Sequence, residues 1–246
     1  MSNPFKNFVL LLMIGSLFGQ GLKATLRTSN TNTQSYFTSD TVKGKEVAEW
    51  IPKQMGSKYG YLHKDGSKTI KAQFSHVSFF AEDCTLLNSA NPDVRKFGTA
   101  QYATVRFEGK DYRIDKKGTL LYLYDKKDLS VCPLEFKEQR FFSYVKNGFY
   151  GLIEKATFFD ESDYRQYVIY PQYQYLHVLE GDDIDRPMLI AVKDNKFGVI
   201  TIDGKTVIPF IYDDIKRNYA WKLGGLFEVS FDAKNYFFVD SYNRKY

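Results

Sequence analysis

Three histidines, two cysteines and a few clustered carboxylates are the residues of this 246-residue chain whose types could carry chemistry. His63, His76 and His177 are scattered, and none stands in an HExxH, CxxC or other close ligand spacing, so no zinc site is expected. Cys84 and Cys132 lack the surroundings of a catalytic thiol. In an oxidising compartment they could pair across 48 positions; two separately buried thiols are the alternative. The stretch EGDDIDRP at 180–187 gathers Glu180, Asp182, Asp183 and Asp185. Oxygen-rich loops bind Ca²⁺, but the ligand spacing and closing Glu of an EF-hand are missing, and a solvated loop is the simpler reading. Asp213-Asp214 reads as a turn after a strand. A carboxylate-pair hydrolase needs a set separation in space, which spacing in sequence does not supply. GxSxG, P-loop and GxGxxG patterns are absent from the sequence. The expectation is no catalytic residue, no cofactor and no metal.

Aromatics offer a different chemistry. The run YRQYVIYPQYQYLHV at 164–178 makes Tyr164, Tyr167, Tyr170 and Tyr175 candidates for a ligand surface that stacks on sugars or packs on a protein. Period-two alternation would place Tyr173 and Tyr175 on one strand face.

The elements that must position these residues read as β almost throughout. Runs such as YATVRF (102–107), TLLYLY (119–124), MLIAVK (188–193), GVITI (198–202) and LFEVSF (226–231) alternate apolar, aromatic and polar residues. Asp65-Gly66, Glu108-Gly109, Lys117-Gly118, Asn147-Gly148 and Asp203-Gly204 separate such runs as turn signals. Residues 47–56 start the fold as a short strand or helix, and 79–90 have room for a helical turn or two.

Internal repetition organises the pattern. KYGYLHKDGSKTIKAQFSHV at 58–77 aligns without a gap on KFGVITIDGKTVIPFIYDDI at 196–215. Tyr59-Gly60 matches Phe197-Gly198, Asp65-Gly66 matches Asp203-Gly204, Ile70 matches Ile208 and Phe74 matches Tyr212. A third copy starts at Tyr150-Gly151 and places Ile169 and Tyr173 at the later positions, with an enlarged loop around ATFFDESDYRQY. Weaker copies without the glycine lie at 109–122 and 233–246. Each feature has a physical reason. The aromatic brings buried area, and the glycine allows a bulge, a positive φ or a close backbone approach. Asp-Gly makes the tight turn. A lone hairpin is marginal, so such units must stack.

The segments NGFYGLIE, DNKFGVITIDGKTVIPFIYDDI and SKYGYLHKDGSKTIKAQFSHV resemble WG repeats, the β-rich bacterial repeats of the type NGKWGFID-GK-VIP-YD. The resemblance covers about residues 57–246. Tyr59, Tyr150 and Phe197 stand where that pattern has Trp, which marks a divergent member. The resemblance implies a repeat-built scaffold, often exported, and supplies no catalytic residues.

The N-terminus suggests an address. Lys6 precedes an apolar run at 8–18, too short for the roughly 20 residues that span a bilayer, followed by small residues Gly19, Gly21 and Ala24. This predicts a signal peptide at 1–24, with a buried helix as the alternative. No cysteine lies near enough for lipid attachment, so a secreted or periplasmic protein is expected. Removing Lys6 and Lys23 lowers the formal charge from +5 to +3, too mild and dispersed for a nucleic-acid partner. No second long apolar run follows, so no stable membrane span is expected. A polar, Ser/Thr/Asn-rich leader occupies 25–46, and 47–246 form the repeat domain of about five units.

The fold expected is all-β: tandem antiparallel hairpins or three-stranded sheets in an open twisted array, with a closed propeller-like ring as the alternative. The function expected is an exported, non-enzymatic binding or scaffold module for a protein or a cell-envelope glycan. An envelope hydrolase using carboxylates around Asp182, Asp183 and Asp185, and a purely structural spacer, are the alternatives.

Overall fold

The structure, a computed structural model, describes residues 44–133, 138–179 and 183–246. The signal-peptide segment 1–24, leader residues 25–43, Glu180 and Asp182 lie outside the described residues.

Alternating apolar runs joined by short polar turns give antiparallel meanders, and five of them follow one another along the chain. Sheet I holds β1 (Trp50–Met55), β2 (Lys58–His63) and β3 (Thr69–Phe74). Sheet II holds β4 (His76–Phe80), β5 (Ala103–Phe107), β6 (Lys110–Ile114) and β7 (Leu120–Leu123). Sheet III holds β8 (Phe141–Lys146), β9 (Phe149–Glu154) and β10 (Tyr167–Tyr173). Sheet IV holds β11 (Tyr175–Val178), β12 (Leu189–Lys193), β13 (Lys196–Ile200) and β14 (Thr206–Tyr212). Sheet V holds β15 (Asp214–Ile215), β16 (Leu226–Ser230) and β17 (Tyr236–Asp240). Residues 47–56 therefore contribute a strand, β1.

The turn chemistry sets the hairpins. Glu108-Gly109 has φ of 49° and 76°, and Asn147-Gly148 has 52° and 81°, the positive pair that a two-residue loop needs to match strand twist. Asp194-Asn195 does the same without glycine, at 52° and 59°, because short polar side chains tolerate that region.

The repeated aromatic–Gly pair falls on the strand before the last of sheets I, III and IV, and its geometry recurs in all three. Tyr59 pairs with Phe74 and Tyr61 with Ile70, with a register shift between them. Tyr150 pairs with Tyr173 and Leu152 with Ile169 across the same kind of shift. Phe197 pairs with Tyr212 and Val199 with Ile208. In each case the next strand bulges toward the glycine. A Cβ on Gly60, Gly151 or Gly198 would come within 3.0 Å of the carbonyl oxygen of Ile70, Ile169 or Ile208. Close backbone approach, not positive φ, is what these glycines provide.

Four buried clusters join the sheets. Trp50, Tyr61, Phe74, Val105 and Ile114 unite sheets I and II. Leu152, Ile169, Leu176 and Ile200 unite III and IV. Ile190, Val199, Trp221, Phe227 and Val239 unite IV and V. Ile51, Phe79, Ala220 and Leu226 bring V against I and II, with Ala220 on α1 (Ala220–Gly224). The sheets are thus linked in the order III, IV, V, then I and II. Among the described residues no cluster links II to III, so the array is open there, while the first and last sheets touch. Ala48 N donates to Gly224 O at 2.9 Å across that junction.

Candidate functional site

Where sheet V meets sheets I and II, their edges leave a cleft of about 510 Å³, within the roughly 300–1,000 Å³ typical of ligand sites. Lys53 and Gln54 on β1, Tyr59 on β2 and His76 on β4 form one wall. Lys216, Asn218, Glu228, Lys234 and Tyr236, from β16, β17 and their flanking turns, form the other, with Tyr219 at the start of α1.

Strand pairing explains why these polar groups converge. Lys216 N donates to Glu228 O at 2.9 Å, and Glu228 pairs with Phe238 across β16 and β17, which sets Lys216 and Glu228 beside each other. The Lys216 ammonium lies 3.9 Å from the centroid of the Tyr236 ring, and contact with the Tyr236 hydroxyl holds its pKa above the ordinary lysine value. Tyr236 Oη donates to Asp214 Oδ2 at 2.5 Å, which pushes the phenol up. Burial pushes the Glu228 carboxyl above the usual glutamate range, against the opposing hydrogen bond that Asn218 Nδ2 donates to Glu228 Oε2 at 2.6 Å. The cleft therefore combines phenol rings, ammonium groups and one half-buried carboxyl.

The tyrosines expected to form a ligand surface are divided by the structure. Tyr164 and Tyr170 are exposed, at 71% and 48%. Tyr167 is not a surface residue: at 8% exposure it packs on Phe158 at 5.1 Å and Tyr144 at 5.9 Å, and its hydroxyl donates to Glu161 O. The enlarged loop between β9 and β10 folds these aromatics over sheet III, a role that the local pattern did not announce. Tyr173 and Tyr175 do not share a strand face, because Tyr173 ends β10 and Tyr175 begins β11 in the next sheet. Tyr175 accepts from Arg217 Nη1 at 2.6 Å and lies beside Tyr150 at 5.6 Å.

The acidic loop is engaged in its own geometry. Asp183 Oδ1 accepts from the backbone N of Asp185 and Arg186, and Asp185 pairs with Arg140 Nη1 at 2.7 Å. Neither lines the cleft, and no group of three potential metal ligands occurs among the described residues. Asp203 pairs with Arg186, and Gly204, at φ 74°, makes the turn before β14. Asp213 pairs with Lys196. His63 sits between Asp65 and Glu49, at 2.5 and 3.6 Å, while His177 lies on β11.

Cys84 and Cys132 are joined in a disulfide, with their Cα atoms 5.4 Å apart. It fastens the insert between β4 and β5 to the segment after β7. No helix of the described residues is long and apolar enough to cross a membrane.

Sequence reading missed the cleft because its residues come from five strands, helix α1 and the segments around them, each bland alone. Lys216 and Glu228 are twelve positions apart and meet only through the β15–β16 pairing. A tendency for polar residues to cluster at repeat exits, as in the stretch after Tyr212, was the only signal.

No curated protein matches this chain. A solved structure, described as a crystal structure of the eukaryotic initiation factor, is similar over 81% of this chain at 7% identity, with a TM-score of 0.26. This chain spans about half, 52%, of that chain's length. A family model described as WG containing repeat matches residues 197–234, from β13 into the turn after β16. The match to that repeat thus straddles sheets IV and V.

Proposed function

We propose that this chain is an exported, non-enzymatic binding module whose inter-sheet cleft holds a glycan of the cell envelope. The cleft carries the reading. Tyr59 and Tyr219 bring rings that can pack on the apolar CH faces of sugars, while Asn218, Lys216, Glu228 and Tyr236 stand beside them as hydrogen-bonding groups. Export is supported by the short apolar N-terminal run and by a disulfide, which persists in oxidising compartments. Binding is favoured over hydrolysis because Glu228 is the one carboxyl among the described lining residues, and a glycosidase needs a second one across the bond.

The experiment is binding to a panel of envelope oligosaccharides, with Tyr219→Ala as the variant, since Tyr219 is exposed at 52% and outside the core clusters. The expected result is binding to at least one glycan, weakened about tenfold or more by the variant at an unchanged melting temperature, as for loss of one stacked ring. Binding to none, or binding that Tyr219→Ala leaves intact, overturns the proposal.

A further inference from the structure

We infer that the glycan held in the inter-sheet cleft is an anionic one, carrying carboxylates on its sugar rings; this rests on the glycan-binding reading above. Three lysines line the walls, Lys53, Lys216 and Lys234, with His76 beside them and Glu228 as the one acidic side chain; Lys53 Nζ also donates to Tyr246 O at 3.5 Å. Their placement is opposed, with Lys53 and His76 on the side of sheets I and II, and Lys216 and Lys234 on the side of sheet V.

Among the described residues neither Lys216 nor Lys234 forms an ion pair within 4.0 Å. Lys216 instead lies against the Tyr236 ring, and the nearby carboxylate of Asp214 is occupied by the Tyr236 hydroxyl. The Glu228 carboxylate is already engaged, accepting from Asn218 Nδ2 at 2.6 Å. A cleft with lysines on both walls favours negative charge and draws it in over about a Debye length, ~8–10 Å at ordinary salt. The rings of Tyr59 and Tyr219 give that charge a sugar to belong to, because a free inorganic anion would make no use of them.

The test is calorimetric titration of the whole exported chain with uronic-acid oligosaccharides and with the same oligosaccharides after reduction of their carboxyl groups. The expected result is binding of the carboxylated form at least tenfold tighter, weakening as salt rises. Lys234→Glu should weaken it at least tenfold and Lys234→Arg should restore it, both at an unchanged melting temperature, since Lys234 is exposed. Equal binding of the reduced form without salt dependence overturns this inference and leaves the glycan-binding reading standing. Binding of neither form to a chain that does bind a neutral envelope glycan has the same meaning. Absence of binding to every glycan defeats both.

Discussion

Sheets I, III and IV solve one packing problem with a glycine, and sheet II solves it with an arginine. In the first three, the residue after the aromatic is Gly60, Gly151 or Gly198, and the next strand bulges onto it. In sheet II the equivalent residue is Arg113, which is only 2% exposed, and the register shift there moves past it. Its guanidinium donates to the carbonyl oxygens of Phe97, Ala81 and Thr99 at 2.7–2.9 Å and to Thr104 Oγ1 at 3.0 Å. Those carbonyls belong to the two ends of the insert between β4 and β5. The glycine serves the sheet itself, whereas the arginine holds an added structure on the sheet, and the disulfide ties the same insert to the segment after β7. Equivalent repeat positions therefore share a place in the sheet but not a role.

The comparison can be broken most forcefully at the glycines. Gly198→Val should cost about 3 kcal/mol, because its new atoms meet the Ile208 carbonyl and the Phe210 ring, whereas Lys205→Ala should stay within about 0.5 kcal/mol. Chemical denaturation followed by circular dichroism checks this, and equal stabilities would show that the bulge yields without strain. Replacing Cys84 and Cys132 by Ser should cost about 3–4 kcal/mol for a loop of this length. Trypsin should then cut the insert first, and unaltered digestion would mean that Arg113 alone suffices. Arg113→Met should cost about 2–3 kcal/mol by leaving buried carbonyls without donors. Arg113→Gly should not do better, and a Gly variant as stable as the native chain would show that sheet II follows the same rule as the others.

The smallest effect lies in pH. The Arg106 guanidinium holds the Asp111 carboxyl below its ordinary value, so its stabilisation is present above the ordinary Asp range and is lost as pH falls through the lowered value. Burial raises Glu228, so the stabilisation from its bound proton is complete below the ordinary Glu range and fades as pH rises through the raised value. Glu228→Gln should remove that second slope, raising stability slightly at neutral pH while sparing the acid limb. An unchanged slope above the Glu range would mean that the carboxyl is solvated as in the unfolded chain.

Much of this fold was legible because the repeat pattern states it locally. The aromatic, the glycine, the turn and the later Ile and aromatic mark hairpins β2–β3 and β13–β14, and the gapless match of 58–77 with 196–215 becomes equivalent pairing in the structure. The sheet boundaries were less visible, since sheets II, IV and V each begin after a single residue beyond the last strand of the sheet before, so that Tyr173 and Tyr175 part company across Gln174. Contact between the first and last sheets had no local signal at all, because Ile51 and Leu226 are ordinary strand residues until they meet. The cleft was hidden for the same reason. The Tyr-rich run drew notice by composition, yet Tyr167 is consumed in packing, while Tyr59 and Tyr236 gain an opening only from the junction of distant sheets.

Repeated positions pack the array, and the junction of its first and last sheets is the site proposed here for binding. Backbone amide shifts of the isotopically labelled chain, followed during titration with an envelope glycan that it binds, test this most directly. The account predicts shifts concentrated at 53–59, 76–78, 216–220 and 228–236, on the two walls of the cleft. Shifts centred instead on Tyr164 and Tyr170 of sheet III, with the cleft silent, would contradict it.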